Sequence, residues 1–152
     1  MPTITPQQII IHFRETKKTL LRPGNRQPLL GITRRMDPTV GAGVYFLFDC
    51  DNLMYVGESG NLYGRMSDLN RTLNHTFRRS LGEAKFHQHK KYYKASSSKK
   101  FDAAIETLLD DYVRCNITIS LVPLNIGRKE FEEWMQETDT HIKWLNKRSK
   151  RK

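Results

Sequence analysis

Hydrophobic residues along the chain recur with two periods, one typical of helices and one typical of strands. Apolar residues three and four positions apart predict helices over residues 3–20, 59–73, 74–82 and 101–112, and a last helix that starts near Gly127. Runs rich in β-branched and aromatic residues predict three strands, GVYFLF, NLMYVG and ITISLVPL. This order of elements predicts an α+β fold in which a small three-stranded antiparallel sheet is flanked by helices.

Capping signals predict where several of these helices begin and end. Thr5-Pro6 predicts the start of the first helix, Ser59 predicts the N-cap of the second, and Gly82 predicts the end of the third. In the last helix, the positions expected to face inward are Phe131, Trp134, Met135, Thr138, Ile142 and Leu145.

The first two strands are joined by a polar turn, Asp49-Cys50-Asp51-Asn52, which predicts a β-hairpin. Side chains alternate between the two faces of a strand, so the length of the loop decides how two tyrosines are related. A loop of three or five residues places Tyr45 opposite Tyr55. A loop of four residues sends the two side chains to opposite faces.

The chain divides into three parts. Residues 1–40 contain the first helix and a basic loop that glycine and proline interrupt. Residues 41–146 contain all three predicted strands and the remaining helices. Residues 147–152 form a basic tail, KRSKRK.

Charge narrows the choice of partners. Lysine and arginine number 26 against 16 aspartate and glutamate residues, a net charge of +10. Because phosphate neutralisation by basic side chains supplies most sequence-independent affinity for nucleic acid, a polyanionic partner is the leading interpretation. The alternative is a basic surface that only keeps the protein in solution.

Other composition signals bear on location. No apolar stretch is long enough to cross a bilayer, and the N-terminus does not have the pattern of a secretory signal. Cys50 and Cys115 have neither zinc-site spacing nor a disulfide framework, so we expect reduced, structural cysteines. We therefore expect a cytoplasmic protein with no membrane partner.

Residues 83–100 combine lysines with aromatic residues. Lys90 and Lys91 are candidate contacts to nucleic acid, because ammonium groups meet phosphates and rings stack on bases. A mobile loop is the alternative. His87 and His89 are a weaker candidate for a metal pair, since they have no partner cysteine and such pairs are more often solvated.

Two short motifs and an arginine resemble a known family. Gly43-Val44-Tyr45, then Tyr55-Val56-Gly57, then Arg65 are similar to the signature of GIY-YIG nucleases. The resemblance covers roughly residues 43–146 and is strongest in YVGESGNLYGR. It implies a GIY-YIG-like nuclease domain over 41–146 that cleaves DNA phosphodiester bonds with one divalent metal ion, Mg²⁺ or Mn²⁺.

The resemblance also implies roles for individual residues. Arg65 has a fixed charge and a planar fork that matches phosphate oxygens, so it is the candidate for holding the scissile phosphate. Tyr45 is the candidate for the base that deprotonates the attacking water, or for the group that orients it, with Tyr55 in support. A tyrosine pKa of about 10 requires a nearby cation for the first role. The alternatives are a solvent-facing arginine and two packed aromatic rings.

Further candidates surround these three residues. Gly43 and Gly57 would let phosphate or a helix approach the sheet closely, or would serve turn geometry alone. His75 is expected to donate to the phosphate or relay a proton, or to be the N-cap of a helix. One of Arg78 and Arg79 is expected to contact the DNA backbone.

The metal ligand is sought on the last helix, where Glu130, Glu133, Glu137 and His141 flank the apolar stripe. The family pattern falls on Thr138, whose hydroxyl cannot replace a carboxylate for Mg²⁺. Glu137 is the predicted ligand and Glu133 the alternative. If neither reaches the site, the domain is a catalytically inactive nucleic-acid-binding module.

The expected partner is duplex or branched DNA. Too little chain lies outside the predicted domain for a separate DNA-reading domain. Any sequence specificity is therefore expected to come from a homodimer or from a DNA-reading partner protein.

Overall fold

A four-stranded antiparallel sheet with helices on both faces is the framework of the computed structural model, which describes residues 3–146. The strands are β1 (Gln27–Pro28), β2 (Gly43–Asp49), β3 (Asn52–Ser59) and β4 (Ile117–Pro123), in the spatial order β1-β4-β2-β3. The α+β class and the three predicted strands are confirmed. The predicted number of strands was too small, because a two-residue edge strand that contains proline leaves no periodic pattern.

Within residues 3–146, five α-helices accompany the sheet. They are α1 (Pro6–Leu21), α2 (Leu62–Leu69), α3 (Thr76–Phe86), α4 (Ala103–Asn116) and α5 (Arg128–Thr138). Thr5 caps α1 as predicted and forms a reciprocal capping box with Gln8. The predicted cap of α2 was wrong: Asn61 accepts a hydrogen bond from the backbone N–H of Gly64 at 3.1 Å, while Ser59 closes the preceding turn.

Two helix ends also differ from the prediction. The third helix continues past Gly82 to Phe86. Gly82 does not end the helix but serves packing, because its missing side chain leaves room for Phe101. A Cβ atom at Gly82 would lie 2.6 Å from ring atoms of Phe101. The last helix ends at Thr138, so Ile142 and Leu145 do not extend its inward face.

In the described part of the chain, the sheet separates two hydrophobic cores. The larger core lies under α2, α3 and α4 and includes Tyr45 and Leu47 of β2. The smaller core lies under α1 and α5 and includes the alternating neighbours Val44, Phe46 and Phe48. Residues 3–40 contribute to both, since Leu20 belongs to the smaller core and Ile32 to the larger. They are therefore packed as part of the domain.

The β2–β3 hairpin sets the relation between the two tyrosines. The last pair of the ladder is Asp49 with Asn52, so the loop has two residues, and Tyr45 lies opposite Gly57. The predicted loop lengths were therefore wrong. A bulge between Leu47 and Phe48 nevertheless brings Tyr45 and Tyr55 to the same face of the sheet.

Three further predictions meet the structure here. No helix within residues 3–146 is long and apolar enough to span a membrane. Cys50 and Cys115 are free thiols, and both are exposed, so they have no structural role in the core. The basic tail, residues 147–152, lies outside the described residues.

Candidate functional site

Tyr45 and Tyr55 form the centre of a polar cluster on the face of the larger core. Their rings stack with centroids 6.1 Å apart and planes inclined by 13°. Both side chains are buried. Tyr55 also contacts the ring of His75 edge-to-face, with centroids 6.1 Å apart.

The hydroxyl of Tyr45 reaches the edge of the sheet because its ring crosses Gly57. A Cβ atom at Gly57 would overlap the Cζ and hydroxyl oxygen of Tyr45. Since β3 is an edge strand, this places the phenol at the border between the sheet and the helices. Glycine is therefore required opposite this tyrosine by packing.

The surroundings of Tyr45 favour its protonated form. Burial raises the pKa of Tyr45 well above its usual value, and the neighbouring Tyr55 and the carboxylate of Glu132 raise it further. The Arg65 guanidinium acts in the opposite direction and lowers it. The cation that the sequence analysis required is thus present, but burial outweighs its effect.

Arg65 lies near the cluster, on the helix that follows β3. Arg65 lies on α2, one residue before buried Met66, and its side chain is half-buried at the edge of the helix. Its charge acts on both Tyr45 and His75. Arg65, which the sequence predicts to share a site with the two tyrosines, thus lies within electrostatic range of Tyr45.

His75 is the N-cap of α3, which was one of the two predicted alternatives. Its Nδ1 accepts a hydrogen bond from the backbone N–H of Phe77 at 2.9 Å. The pKa of His75 is lowered to about 4, mainly by burial and further by the charges of Arg65 and Arg79. The carboxylate of Asp68 has the opposite effect. His75 is therefore neutral at pH 7, and its proton resides on Nε2.

The carboxylate of this cluster comes from Glu132, which sequence reasoning missed. Glu132 is 2% exposed, and its charge acts on Tyr45. Buried carboxylates are rare because desolvation disfavours the charge, so they concentrate at functional sites. A signal was present in the sequence: Glu132 directly follows Phe131 and precedes Met135 by three residues, which places it on the buried side of α5.

The two predicted metal ligands point elsewhere. Glu133 and Glu137 are both exposed on α5. They lie 100° and 140° around the helix axis from Glu132, because each residue turns an α-helix by 100°. The structure thus places Glu132 at the cluster and leaves Glu133 and Glu137 in solvent.

Arg78 does not have the DNA-facing position that was expected of one of two arginines. Its side chain is 3% exposed, and its guanidinium donates to Glu106 at 2.9 Å and to Asp110 at 2.7 Å. It also donates to the hydroxyl of Thr72 at 3.1 Å. Arg78 therefore ties α3 to α4, and the prediction of a DNA contact was wrong for it.

Arg79 lies closer to the cluster. Its guanidinium donates to the backbone carbonyl of Thr72 at 2.7 Å, its side chain is half-buried, and its charge lowers the pKa of His75. Of the two arginines, Arg79 is the one that can contribute positive charge near the site.

The remaining predicted contacts separate into packing residues and exposed residues. A Cβ atom at Gly43 would overlap the backbone carbonyl oxygen of Val122 and would crowd Leu62, so this glycine serves packing within the protein, as Gly57 does. No phosphate contact at these glycines is needed to explain them. Lys90 and Lys91 are exposed in the turns after α3 and remain available to a ligand.

The histidine pair has only local hydrogen bonds. His87 Nδ1 lies 3.0 Å from the carbonyl oxygen of Glu83, and His89 Nδ1 accepts from the backbone N–H of Lys91 at 3.1 Å. Within residues 3–146, no group of three or more histidine, cysteine, aspartate or glutamate side chains is arranged to hold a metal ion. His87 and His89 therefore have no third protein ligand there.

The polar cluster combines four kinds of chemical group. It holds a guanidinium that can bind phosphate, two phenols, a neutral imidazole that donates through Nε2, and a buried carboxylate. These five side chains belong to Tyr45, Tyr55, Arg65, His75 and Glu132, which come from β2, β3, α2, the cap of α3 and α5.

No protein-family model matches this chain, and neither a curated protein nor a solved structure was found to match it.

Proposed function

We propose that this protein is a divalent-metal-dependent endonuclease that hydrolyses phosphodiester bonds of DNA. The observation that carries the proposal is the convergence of Tyr45, Tyr55, Arg65, His75 and Glu132 in one cluster. Four of these residues are those that the resemblance to GIY-YIG nucleases selects, and the α+β fold is compatible with it. The net charge of +10 supports a polyanionic substrate.

Arg65 is the proposed phosphate-binding residue. Its guanidinium presents paired N–H donors that match two phosphoryl oxygens, and its charge offsets the negative charge that develops during attack. The half-buried position favours this role, because electrostatic attraction is stronger where less water screens it.

Tyr45 and His75 complete the proposed handling of the reacting atoms. The ionised form of Tyr45, beside Tyr55, would accept a proton from the attacking water, whereas its protonated hydroxyl would orient that water. Because His75 is neutral at pH 7, it would donate a hydrogen bond from Nε2 to a phosphoryl oxygen. The new P–O bond forms as the bond to the 3′-oxygen breaks, and this oxygen takes a proton from solvent water, which leaves 5′-phosphate and 3′-hydroxyl ends.

Glu132 is the proposed ligand of a Mg²⁺ or Mn²⁺ ion. Mg²⁺ is commonly bound through one or two carboxylates and substrate phosphate oxygens while it keeps several waters, so one buried carboxylate beside a phosphate-binding arginine fits its requirements. When bound, the ion would act as a Lewis acid on the phosphoryl group.

A nucleic-acid-binding module without activity is the second candidate. The absence of a group of three metal-binding side chains within residues 3–146 favours it. The raised pKa of Tyr45 also favours it, because a protonated phenol is a poor base. A homodimer or a DNA-reading partner protein, and a cytoplasmic location, stay predictions under both candidates.

Cleavage assays with matched variants test the proposal. Supercoiled plasmid and a labelled branched oligonucleotide are incubated with Mg²⁺, with Mn²⁺ or with EDTA, and binding is measured in parallel by gel shift. Wild type should cut only with metal, and Arg65→Ala should lose cleavage by about 100-fold or more while it stays folded. Arg114→Ala, on exposed α4 surface, is the control. Binding without cleavage under either metal would instead identify the module.

A further inference from the structure

A basic groove lies between α1 and α5 on the face of the smaller core. It has a volume of about 830 Å³ and an apolar floor that includes Trp134. Four cations line it, Arg14, Lys17, Lys18 and Arg22. Among the described residues of its lining, the single acidic side chain is Asp139, which is ion-paired with Lys17 at 2.7 Å.

Three of these cations form a row. Arg14, Lys18 and Arg22 follow at intervals of four residues along α1 and its C-cap, so they share one side of the helix. Each interval advances about 6 Å along the axis. All three are exposed, and like charges four residues apart weaken a helix slightly. A polyanion in the groove would relieve that repulsion.

The groove is distinct from the polar cluster. Trp134 follows Glu132 by two residues and so projects about 200° around α5 from it. Trp134 packs with Phe13 at 5.6 Å and with Phe131 at 6.0 Å between ring centroids, in the smaller core. Tyr45 and Tyr55 lie across the sheet in the larger core. A ligand in the groove therefore does not occupy the proposed cleavage site.

We infer that this groove binds the sugar-phosphate backbone of a DNA segment that is not being cut. The cations Arg14, Lys18 and Arg22 contact successive phosphates, and the apolar floor at Trp134 contacts the sugars. The identity of the polyanion as DNA rests on the proposed function, whereas the charge of the groove stands on its own. The protein then holds DNA on two opposite faces, which suits a branched substrate.

The decisive variant removes the row of charges. Arg14→Gln, Lys18→Gln and Arg22→Gln are combined, and the control combines Arg114→Gln, Lys129→Gln and Lys143→Gln, which are exposed and do not line the groove. Both variants lose three positive charges, so a difference between them cannot come from net charge. Circular dichroism and urea unfolding confirm that each is folded.

Affinity for a duplex oligonucleotide and for a branched oligonucleotide is measured by fluorescence anisotropy at several salt concentrations. Each phosphate contact contributes about 0.9 to the slope of log K against log salt. On branched DNA, the slope of the groove variant should be shallower than that of wild type by about 2 to 3. Its affinity near 100 mM salt should be lower by roughly 10-fold or more. The control variant should keep the slope of wild type. Equal slopes for the two variants would overturn the inference.

Comparing the cleavage and binding results separates this inference from the proposed function. If wild type cuts no DNA but the groove variant still shows a weaker salt dependence of DNA binding than the control, the groove inference is supported and the nuclease proposal fails. If wild type cuts and the groove variant binds like the control, the nuclease proposal stands and the groove inference fails. Binding to polyglutamate, a model of an acidic protein, is measured in the same way. If the groove variant loses this binding but keeps its DNA binding, the groove binds an acidic protein and the inference is overturned.

Discussion

The rings of Tyr45 and Tyr55 stack 6.1 Å apart, although neither residue is the other's partner in the hairpin. Tyr45 lies opposite Gly57, and Tyr55 lies opposite Leu47. In a regular hairpin with the same two-residue loop, Tyr55 would lie opposite Phe46 and face the smaller core. The bulge adds one residue to β3 and shifts the register, so both tyrosines face the same side.

The pH dependence of cleavage should reveal the role of Tyr45. Because its pKa is raised well above 10, the ionised fraction grows about tenfold per pH unit across the range from 7 to 9. If Tyr45 is the base, the rate of wild type at saturating DNA should rise with that slope. Tyr45→Phe should cut about 100-fold more slowly and lose the dependence. A flat profile in wild type would assign Tyr45 to orienting water instead.

Glu132 and Glu137 provide a matched pair on one helix. Glu132→Gln removes the buried carboxylate with little change in shape, so metal-dependent cleavage should fall by about 100-fold or more. Glu137→Gln changes an exposed side chain and should cut like wild type. The cleavage rate is measured over a titration of Mn²⁺. Loss of cleavage in Glu137→Gln alone would return the ligand to the position that the sequence favoured.

His75 should make stability depend on pH. Its folded pKa of about 4 lies below the ordinary value of 6.5, so the unfolded chain gains a proton first as the pH falls. Stability is therefore lost between pH 6.5 and 4 and levels off below, by about 3 kcal/mol at most. His75→Asn keeps a helix cap and should lack this loss.

Urea unfolding at several pH values measures this effect. His141→Asn, at an exposed histidine outside the helices, is the control and should keep the pH dependence of wild type. The same dependence in His75→Asn would show that other groups cause it.

Arg78 should matter for stability and not for DNA binding. Arg78→Gln leaves the partly buried carboxylates of Glu106 and Asp110 without their cation, which should cost about 2 kcal/mol, less than a fully buried pair. Arg114→Gln breaks an exposed pair with Asp111 and should cost under about 1 kcal/mol. Urea unfolding gives both values. A reduced salt slope for DNA in folded Arg78→Gln would contradict the structural role.

Gly57 should not tolerate a side chain. In Gly57→Ala the new methyl group meets the ring of Tyr45, so the ring or the strand must move, at a cost of about 1–3 kcal/mol and with reduced cleavage. Gly24→Ala is the control, because a Cβ atom there has no neighbour within 4 Å. Thermal unfolding compares the two. Equal stability of the two variants would show that Tyr45 repacks freely.

The sequence by itself determined the α+β class, the places of the three longer strands and most helices, and the basic character of the chain. Periodicity suffices for the strands and helices because each depends on residues that are neighbours along the chain, and composition alone gives the basic character. The resemblance of two short motifs to a known family also selected Tyr45, Tyr55, Arg65 and His75. Only the tertiary structure decided which other groups join them. The bulge that turns Tyr55, the burial of Glu132 and the pairing of Arg78 depend on contacts between distant segments, which local patterns do not record.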